Sequence, residues 1–421
     1  MNNEVMNVEI QKRSFWQFVG PGVLVAVGYM DPGNWATDLE AGSRFGFNLL
    51  CVVLLSSIAA MFLQSICVRV GAVTGKDLAE LCRDQYRPWV KNALWVLAEI
   101  AIIATDIAEV LGTALAFHLI LGVSVETGVL MTALNMIFVF IFQGKGLRRM
   151  EALVLGFVVM ILLCFVAQVF WSSPPWLEVA KGYVPRLSSF PDAHAWYVAI
   201  GIMGATVMPH NLYLHTAVVQ SRVMKNNDVE LAYSMRMITW EVILSLSIAF
   251  FINSAILIVA GSAFHLNDYL NITEIQDAHK LLSPLLGASA ASFLFALALF
   301  AAGQSSTITG AIAGQVILEG FMHFKMPVWL RRAIARILAI IPAWIGVHYF
   351  GEHAVGSLLV GTQVILSLQL PFAVVPLLAF AGNRKIMGHW VMSVKMKSFG
   401  WLICAVIIAA NAYMLYRLIQ E

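Results

Sequence analysis

Residues 28–34 read Gly-Tyr-Met-Asp-Pro-Gly-Asn, and residues 204–211 read Gly-Ala-Thr-Val-Met-Pro-His-Asn. Each stretch lies within a long apolar run. Proline removes a backbone donor and clashes with the preceding turn, and glycine weakens a helix further. Each stretch is therefore predicted to unwind and to leave a break between two half-helices. Backbone carbonyls freed at membrane depth are tolerated only where they line a cavity or bind something, so both breaks are predicted to be functional.

The composition around these breaks is that of a helical membrane protein. Hydrophobic residues make up 60% of the 421 residues, charged residues make up 12%, and the mean hydropathy is +0.80. Apolar runs of about 20 residues recur along the chain, and each is long enough to cross a bilayer as a helix. The sequence predicts an all-α polytopic membrane protein with eleven spans, at residues 15–42, 46–70, 93–121, 124–143, 150–172, 193–220, 236–262, 281–318, 333–350, 354–381 and 398–418.

Residues 15–421 are predicted to form a single transmembrane domain that follows a polar cytoplasmic tail, residues 1–14. The distribution of basic residues predicts the orientation. With the N-terminus inside, the cytoplasmic segments hold all but five of the 26 lysines and arginines, the exceptions being Arg44, Lys181, Arg186, Lys280 and Arg417. The positive-inside rule then predicts a cytoplasmic N-terminus and a periplasmic or extracellular C-terminus. The expected location is the inner membrane of a bacterium.

The two breaks fall in the first and the sixth span. This relation is expected if spans 1–5 (about 15–172) and spans 6–10 (about 193–381) are inverted repeats, with span 11 (about 398–418) added. Transporters built in this way bind their substrate near the bilayer midplane, between the breaks. Each proline alone would favour a simple kink. Polar groups inside spans are costly and usually functional, so the clustering of Asp31, Asn34, Met208 and His210 favours a substrate site.

Together the two motifs resemble the signature pair of the Nramp family of divalent metal transporters, and in particular its bacterial manganese branch. The resemblance rests on Asp31-Pro32-Gly33-Asn34 and Met208-Pro209-His210, and it extends from Gly20 to about Phe380. It implies a LeuT-like fold of 5+5 inverted repeats with broken helices 1 and 6 and an eleventh helix. It also implies proton-coupled uptake of Mn²⁺ and Fe²⁺, with Cd²⁺, Co²⁺ or Zn²⁺ often tolerated.

The resemblance further implies which residues bind the metal. They are Asp31, Asn34, the carbonyl of Ala205 and the sulfur of Met208, joined in some conformations by the carbonyl of Gly28 and by Gln363. Gln369 is close enough in sequence to take the place of Gln363. The chemistry of the residues agrees, because Ala205 and Met208 are three apart and share a helical face. Oxygen donors with one thioether favour first-row transition metals over Mg²⁺ and Ca²⁺.

A second set of polar residues predicts a proton route. Glu99, Asp106 and Glu109 recur at intervals of seven and three, which places three acids on one face of the otherwise apolar third span. His210 is suited either to relay a proton or to serve as a neutral structural histidine. The resemblance adds the basic residues at the start of the ninth span, Arg331, Arg332 and Arg336, as proton-exit residues. Solvation at the cytoplasmic end explains Glu99 equally well, and anchoring to anionic lipid explains the arginines.

Three other functions are compatible with parts of this pattern. A sodium-coupled carrier of small molecules would share the inverted repeat, although Asp31 would repel the carboxylate of an amino acid. A passive metal channel would not need the acidic face. An intramembrane metalloenzyme is disfavoured, because His210 and His215 are five apart and the HExxH pattern is absent. We expect no enzyme activity and no cofactor, and the expected partners are divalent metal ions, protons and the lipid bilayer, with no nucleic acid and no obligate protein partner.

Overall fold

The computed structural model describes residues 14–134, 146–186, 189–224, 227–270, 272–324 and 326–420. Within these ranges the chain forms seventeen α-helices and no β-strand. In chain order the helices are α1 (Pro21–Gly28), α2 (Pro32–Phe45), α3 (Leu50–Thr74), α4 (Leu78–Gln85), α5 (Pro88–Leu121), α6 (Val125–Met131), α7 (Leu147–Ser172), α8 (Trp176–Gly182), α9 (Ala193–Thr206), α10 (Pro209–Val218), α11 (Asp228–Ala263), α12 (Ile275–Leu286), α13 (Ala291–Met322), α14 (Val328–Phe350), α15 (Val355–Ala381), α16 (Arg384–Met387) and α17 (Val394–Gln420).

The helices account for the predicted spans. In the described part of the chain, seven are long and apolar enough to cross a membrane: α3, α7, α11, α13, α14, α15 and α17. Two further spans are split into the pairs α1/α2 and α9/α10, and the 34 residues of α5 form the third span. The fourth predicted span begins with α6, and its remainder from residue 135 lies outside the described residues.

Both breaks occur where the sequence predicts them. α1 ends at Gly28 and α2 begins at Pro32, while α9 ends at Thr206 and α10 begins at Pro209. In each pair the proline is the first residue of the second half-helix, where its fixed φ suits the helix and its missing N–H is not needed. The prolines are therefore helix starts and not kinks within a continuous helix.

The prediction for the eighth span was wrong at its beginning. Residues 281–286 belong to α12, which ends at Leu286 and is capped by Gly287 in a left-handed conformation (φ +63°). The membrane helix α13 begins only at Ala291. The sequence is apolar across both elements, which made them look continuous. α12 is instead amphipathic and buries Ile275, Ala278 and Leu282 on one side.

A buried carboxylate attaches the first half-helix to α11. The backbone N–H groups of Gly20, Gly22 and Val23 donate to the Glu241 carboxylate at 3.1, 2.8 and 3.1 Å. The first N–H groups of a helix have no partner within the helix, and a negative charge suits the positive end of its dipole. Glu241 therefore holds the start of α1, and all eight residues of α1 are buried.

The second broken helix approaches α15 closely because Gly204 has no side chain. A Cβ at Gly204 would collide with the backbone carbonyl of Gln363 and lie 2.8 Å from the Cβ of Ser367. We expect Gly204→Ala to lower stability by about 1–3 kcal/mol, since the backbone of α15 has to move. The midpoint of thermal unfolding in detergent measures the loss.

Gly361→Ala is the matched control for this prediction. Gly361 lies inside α15, and a Cβ there would meet nothing within 4 Å. Alanine is the better helix former, so this variant should unfold at the wild-type temperature or slightly above it. Equal unfolding temperatures for the two variants would contradict the proposed role of Gly204 in close packing.

Candidate metal site

Asp31 and Asn34 lie at the start of α2, beside the first break. The Asp31 carboxylate accepts hydrogen bonds from the Asn34 backbone N–H at 2.9 Å and from Asn34 Nδ2 at 2.6 Å. Asn34 Nδ2 also donates to the carbonyl oxygen of Ala205, at the end of α9, at 3.1 Å. All three residues are buried. Three of the predicted ligands therefore meet where the two breaks face each other.

The Asn34 side chain is turned away from a metal-binding orientation. Its N–H groups donate to Asp31 Oδ1 and to the Ala205 carbonyl, the two acceptors that are predicted to bind the metal. An N–H group cannot bind a cation, so the side chain has to rotate and present Oδ1 before Asn34 can become a ligand. Asn34 Oδ1 accepts instead from Nδ2 of Asn253 on α11 at 3.3 Å, and the same Nδ2 donates to the Tyr29 carbonyl at 2.8 Å.

Met208 and Gln363 are buried at the same junction. Met208, the N-cap of α10, packs against Ala101 and Ala104 of α5 and against Leu366 of α15. The side-chain amide of Gln363 occupies the space in which a Cβ on Gly33 would lie. The Oε1 of Gln363 and the Oδ2 of Asp31 are both buried without a hydrogen-bond partner among the described residues. Two oxygen acceptors at the junction are therefore free to bind a cation.

The structure distinguishes the two glutamines of α15 by their position. Gln363 packs against the first break, whereas Gln369 lies six residues further along the helix, and its amide makes no hydrogen bond within the described ranges. Gly28 ends α1, and a Cβ there would collide with the amide of Asn211 on α10. Gly28 and Gln363 therefore each lie at a contact between a break and a neighbouring helix.

The predicted proton residues lie next to this junction, on α5. Nδ1 of His210, the second residue of α10, is 3.3 Å from Oγ1 of Thr105. Asp106 and Glu109 follow on the same helix and line a cavity of about 40 Å³ between α5, α13 and α14. This volume is enough for water molecules. The structure thus brings His210 to the helix that holds the acids.

Three arginines of α14 form the opposite wall of that cavity. Arg331, Arg332 and Arg336 are only 6–7% exposed, which leaves little of them to anchor lipid headgroups. Nη2 of Arg331 lies 3.1 Å from both carboxylate oxygens of Glu99, whose side chain is 24% exposed. Glu99 is therefore paired at the edge of the cavity. Arg336 follows Arg332 by four residues, about one turn of α14, which places these two on the same helical face.

Other buried polar groups near the breaks were missed by the sequence analysis. Asp38 lies on α2 seven residues after Asp31 and is fully buried. Nδ1 of His215 lies 2.8 Å from Oε1 of Gln64, and Gln64 Nε2 donates to the Tyr29 hydroxyl at 2.8 Å. A polar residue inside an apolar span was the signal that identified Asp31. If every span had been searched for polar residues in this way, Asp38, Gln64, His215 and Asn253 would also have been selected.

The donors at the junction differ in kind from those of a resident metal centre. Among the described residues, no group of three or more His, Cys, Asp or Glu side chains is placed to hold a metal ion. The candidate set combines one carboxylate, one carboxamide, one backbone carbonyl and one thioether. One formal negative charge with neutral donors suits a cation that has to be released again.

The comparison with known proteins identifies the family. The sequence profile described as natural resistance-associated macrophage protein-like, or Nramp, matches residues 22–417. The chain belongs to the Nramp family. Among its Nramp relatives, the divalent metal cation transporter MntH 1 of Pseudomonas aeruginosa is 53% identical over 399 residues, which cover 95% of this chain and 91% of the relative. The divalent metal cation transporter MntH of a Nostoc species is 50% identical over 408 residues, covering 96% and 92%.

Solved structures agree with this assignment. The manganese transporter of Eremococcus coleocola, in complex with an aromatic bis-isothiourea substituted compound, matches with a TM-score of 0.87 at 36% identity, over 95% of this chain and 87% of that chain. MhsT in complex with L-phenylalanine matches with a TM-score of 0.62 at 12% identity, over 93% of this chain and 98% of that chain. The second likeness shows the fold alone, and it confirms the predicted LeuT-like architecture.

This Nramp protein is therefore a membrane transporter of divalent metal cations and not an enzyme. The metal is its substrate, and Nramp transporters need no cofactor. The predicted family and fold class are confirmed. The roles of individual residues in binding metal or moving protons stay predictions.

Proposed function

We propose that this Nramp protein takes up Mn²⁺ and Fe²⁺ by alternating access and that inward movement of protons drives the uptake. Cd²⁺, Co²⁺ and Zn²⁺ are further substrates. The observation that supports this most is the junction of the two breaks, where Asp31, Asn34 and Ala205 are in hydrogen-bond contact and Met208 is buried nearby. Relatives at about half identity are named divalent metal cation transporters, and a structural neighbour is named a manganese transporter.

In this proposal Asp31, Asn34, the Ala205 carbonyl and the Met208 sulfur bind the metal. Asp31 supplies the charge that offsets dehydration of the cation, and the neutral donors keep binding weak enough for release. Met208 adds a soft ligand, which Mn²⁺, Fe²⁺ and Cd²⁺ accept more readily than Mg²⁺ or Ca²⁺. The Gly28 carbonyl and Gln363 join the site as the half-helices move.

The proton takes a separate route along α5. It passes from His210 and Thr105 to Asp106 and Glu109. It then leaves past Glu99 and the arginine wall, the side of the cavity formed by Arg331, Arg332 and Arg336. A separate route is physically reasonable because a proton and a divalent cation repel each other strongly in a site of low dielectric constant. The arginines favour negative acids, which can accept the next proton.

The proposed orientation has the N-terminus in the cytoplasm and the C-terminus on the outer side of a bacterial inner membrane. The bias of lysine and arginine toward alternate loops supports it. Arg331, Arg332 and Arg336 lie near the start of α14, which is then its cytoplasmic end. In this orientation the arginine wall leads protons toward the cell interior.

Uptake by purified protein in liposomes tests the proposal. Mn²⁺ and Fe²⁺ should enter faster than Mg²⁺ and Ca²⁺, and external acid should accelerate their entry while a trapped pH dye reports protons moving in. If metal uptake is not accompanied by proton entry and does not depend on pH, a passive channel would be favoured. Uptake that depends on a sodium gradient would favour the sodium-coupled alternative.

Met208→Ala should change selectivity more than rate. Losing the only soft donor of the set should weaken Cd²⁺ binding by roughly tenfold and let Ca²⁺ or Mg²⁺ compete better, since water can replace the sulfur. Competition between Mn²⁺ and Ca²⁺ during liposome uptake measures the change.

Met203→Ala is the matched control, because Met203 is a half-buried methionine of α9 that lies before the break. Its competition profile should equal that of the wild type. If Met208→Ala and Met203→Ala behave alike, Met208 contributes only packing.

A further inference from the structure

An apolar crevice lies between α7, α8 and α11. Its volume is about 590 Å³, which is within the size range of ligand sites in proteins. The lining includes Phe165 and Val166 of α7, Trp176 of α8, and Phe251 and Ala255 of α11. None of the described residues that line it is charged. The crevice therefore suits an apolar ligand.

The crevice is continuous with the surface that meets lipid. Val166, Phe251 and Trp176 are 58%, 61% and 62% exposed at its edges. Only 33% of the apolar core of α7 is buried inside the protein. In a chain that spans a membrane, such exposed apolar side chains contact acyl chains. Lipid therefore has direct access to the crevice.

We propose that this crevice binds one acyl chain of a membrane phospholipid. Its lining runs from residue 162 to 169 on α7 and from 248 to 258 on α11, which is about 15 Å along α11 at 1.5 Å per residue. An extended segment of an acyl chain can fill an apolar crevice of this length. Trp176 and Tyr183 line the end of the crevice next to α8. Tryptophan and tyrosine side chains prefer the depth of the lipid headgroups in a membrane. The tail thus lies between the helices, and the headgroup lies beside α8.

One wall of the crevice leads to the first break. Phe165 packs edge-on against Trp35 with the ring centroids 4.9 Å apart, and both rings are buried. Trp35 Nε1 donates to the carbonyl of Met30, next to Asp31, at 3.2 Å. A filled crevice supports Phe165, and through it the position of Trp35 and the backbone of the break. This consequence rests on the proposed metal site at Asp31.

Photolabelling tests the acyl-chain site directly. The protein is reconstituted in vesicles of phosphatidylethanolamine and phosphatidylglycerol that contain a trace of phosphatidylethanolamine with a diazirine on one acyl chain. Peptide mass spectrometry should find several-fold more label on residues 162–183 and 248–258 than on the lipid-facing side of α17. Ala255→Phe, and independently Ala180→Phe at the α8 side, should fill the crevice and remove this excess.

Ala405→Phe is the matched control, because Ala405 is exposed on α17 and does not line the crevice. It should leave the label unchanged. Uniform labelling of all lipid-facing helices, or an excess that survives both filling variants, would overturn the proposal. Cross-links from these residues to a second copy of the chain would also overturn it, since a protein partner would then cover the crevice.

Calorimetric titration with Mn²⁺ tests the link to the break. In detergent, lipid-stripped wild type and Ala405→Phe should gain several-fold in affinity when phospholipid is added, and Ala255→Phe should not respond. If the Mn²⁺ affinity of the wild type does not change when phospholipid is added, the link through Phe165 and Trp35 is refuted. Failure of the metal site itself would appear as wild-type Mn²⁺ affinity in Asp31→Asn, and it would leave the labelling result unaffected.

Discussion

Asp31→Asn should abolish transport and weaken Mn²⁺ binding by about a hundredfold or more, equivalent to about 3 kcal/mol. Asp31 is the only carboxylate among the proposed ligands, and its second oxygen, Oδ2, has no hydrogen-bond partner within the described residues. Asparagine cannot supply the charge that offsets dehydration of a divalent cation. Isothermal titration with Mn²⁺ or Cd²⁺ measures binding, and liposome uptake measures transport.

The protein should still fold, because asparagine is as good an N-cap as aspartate. In the wild type, the Asp31 side chain accepts from the Asn34 backbone N–H, and the asparagine oxygen can do the same. Asp192→Asn is the matched control: Asp192 is the N-cap of α9 and accepts from the Ala195 backbone N–H at 2.7 Å, away from the breaks. It should bind Mn²⁺ normally. Wild-type affinity in Asp31→Asn would place the metal elsewhere.

Asp106→Asn should separate proton movement from metal binding. Asp106 lies on α5 and faces the arginines of α14, whereas the proposed ligands lie at the breaks and on α15. The amide is nearly isosteric but cannot take up and release a proton in this pH range. We expect Mn²⁺ affinity to stay within a few-fold, while proton entry falls by about tenfold or more. A pH dye trapped in liposomes, read during Mn²⁺ uptake, measures the loss.

External acid should also stimulate metal uptake less in Asp106→Asn than in the wild type, because the acid acts through this route. Asp84→Asn is a matched control, since Asp84 forms ion pairs with Lys76 and Arg83 outside the proposed proton route. It should retain both fluxes. A thermal melt has to accompany the assay, because Asp106→Asn removes negative charge opposite the three arginines. If both fluxes and their pH dependence match the wild type, Asp106 is structural and protons take another route.

The position of the breaks was predictable because proline and glycine act on their own backbone. Pro32 and Pro209 each begin a half-helix in the structure, as steric reasoning requires. The all-α membrane class and the approximate span lengths followed from the apolar runs for a similar reason, since bilayer thickness and backbone hydrogen bonding act on each helix separately. The same reasoning was wrong at Gly287, where a local turn interrupts continuous apolar sequence.

The contacts between distant segments were not predictable from spacing. Asn34 and Ala205 are 171 residues apart and meet only because the two broken helices pack together. Gln363 rather than Gln369 reaches Gly33, which depends on how α15 is rotated and shifted against α2. Sequence spacing along one helix contains no information about the rotation of another.

The sequence by itself therefore determined that this protein is an all-α membrane protein with two broken helices that carry polar residues. Those features arise from local backbone sterics and from the exclusion of polar groups from lipid. Only the tertiary structure decided that three arginines are buried opposite the acids of α5, and that Asn34 has to rotate before it can bind a cation. It also decided that an apolar crevice opens between α7, α8 and α11. These features depend on side chains from several helices meeting in space, which no single segment specifies.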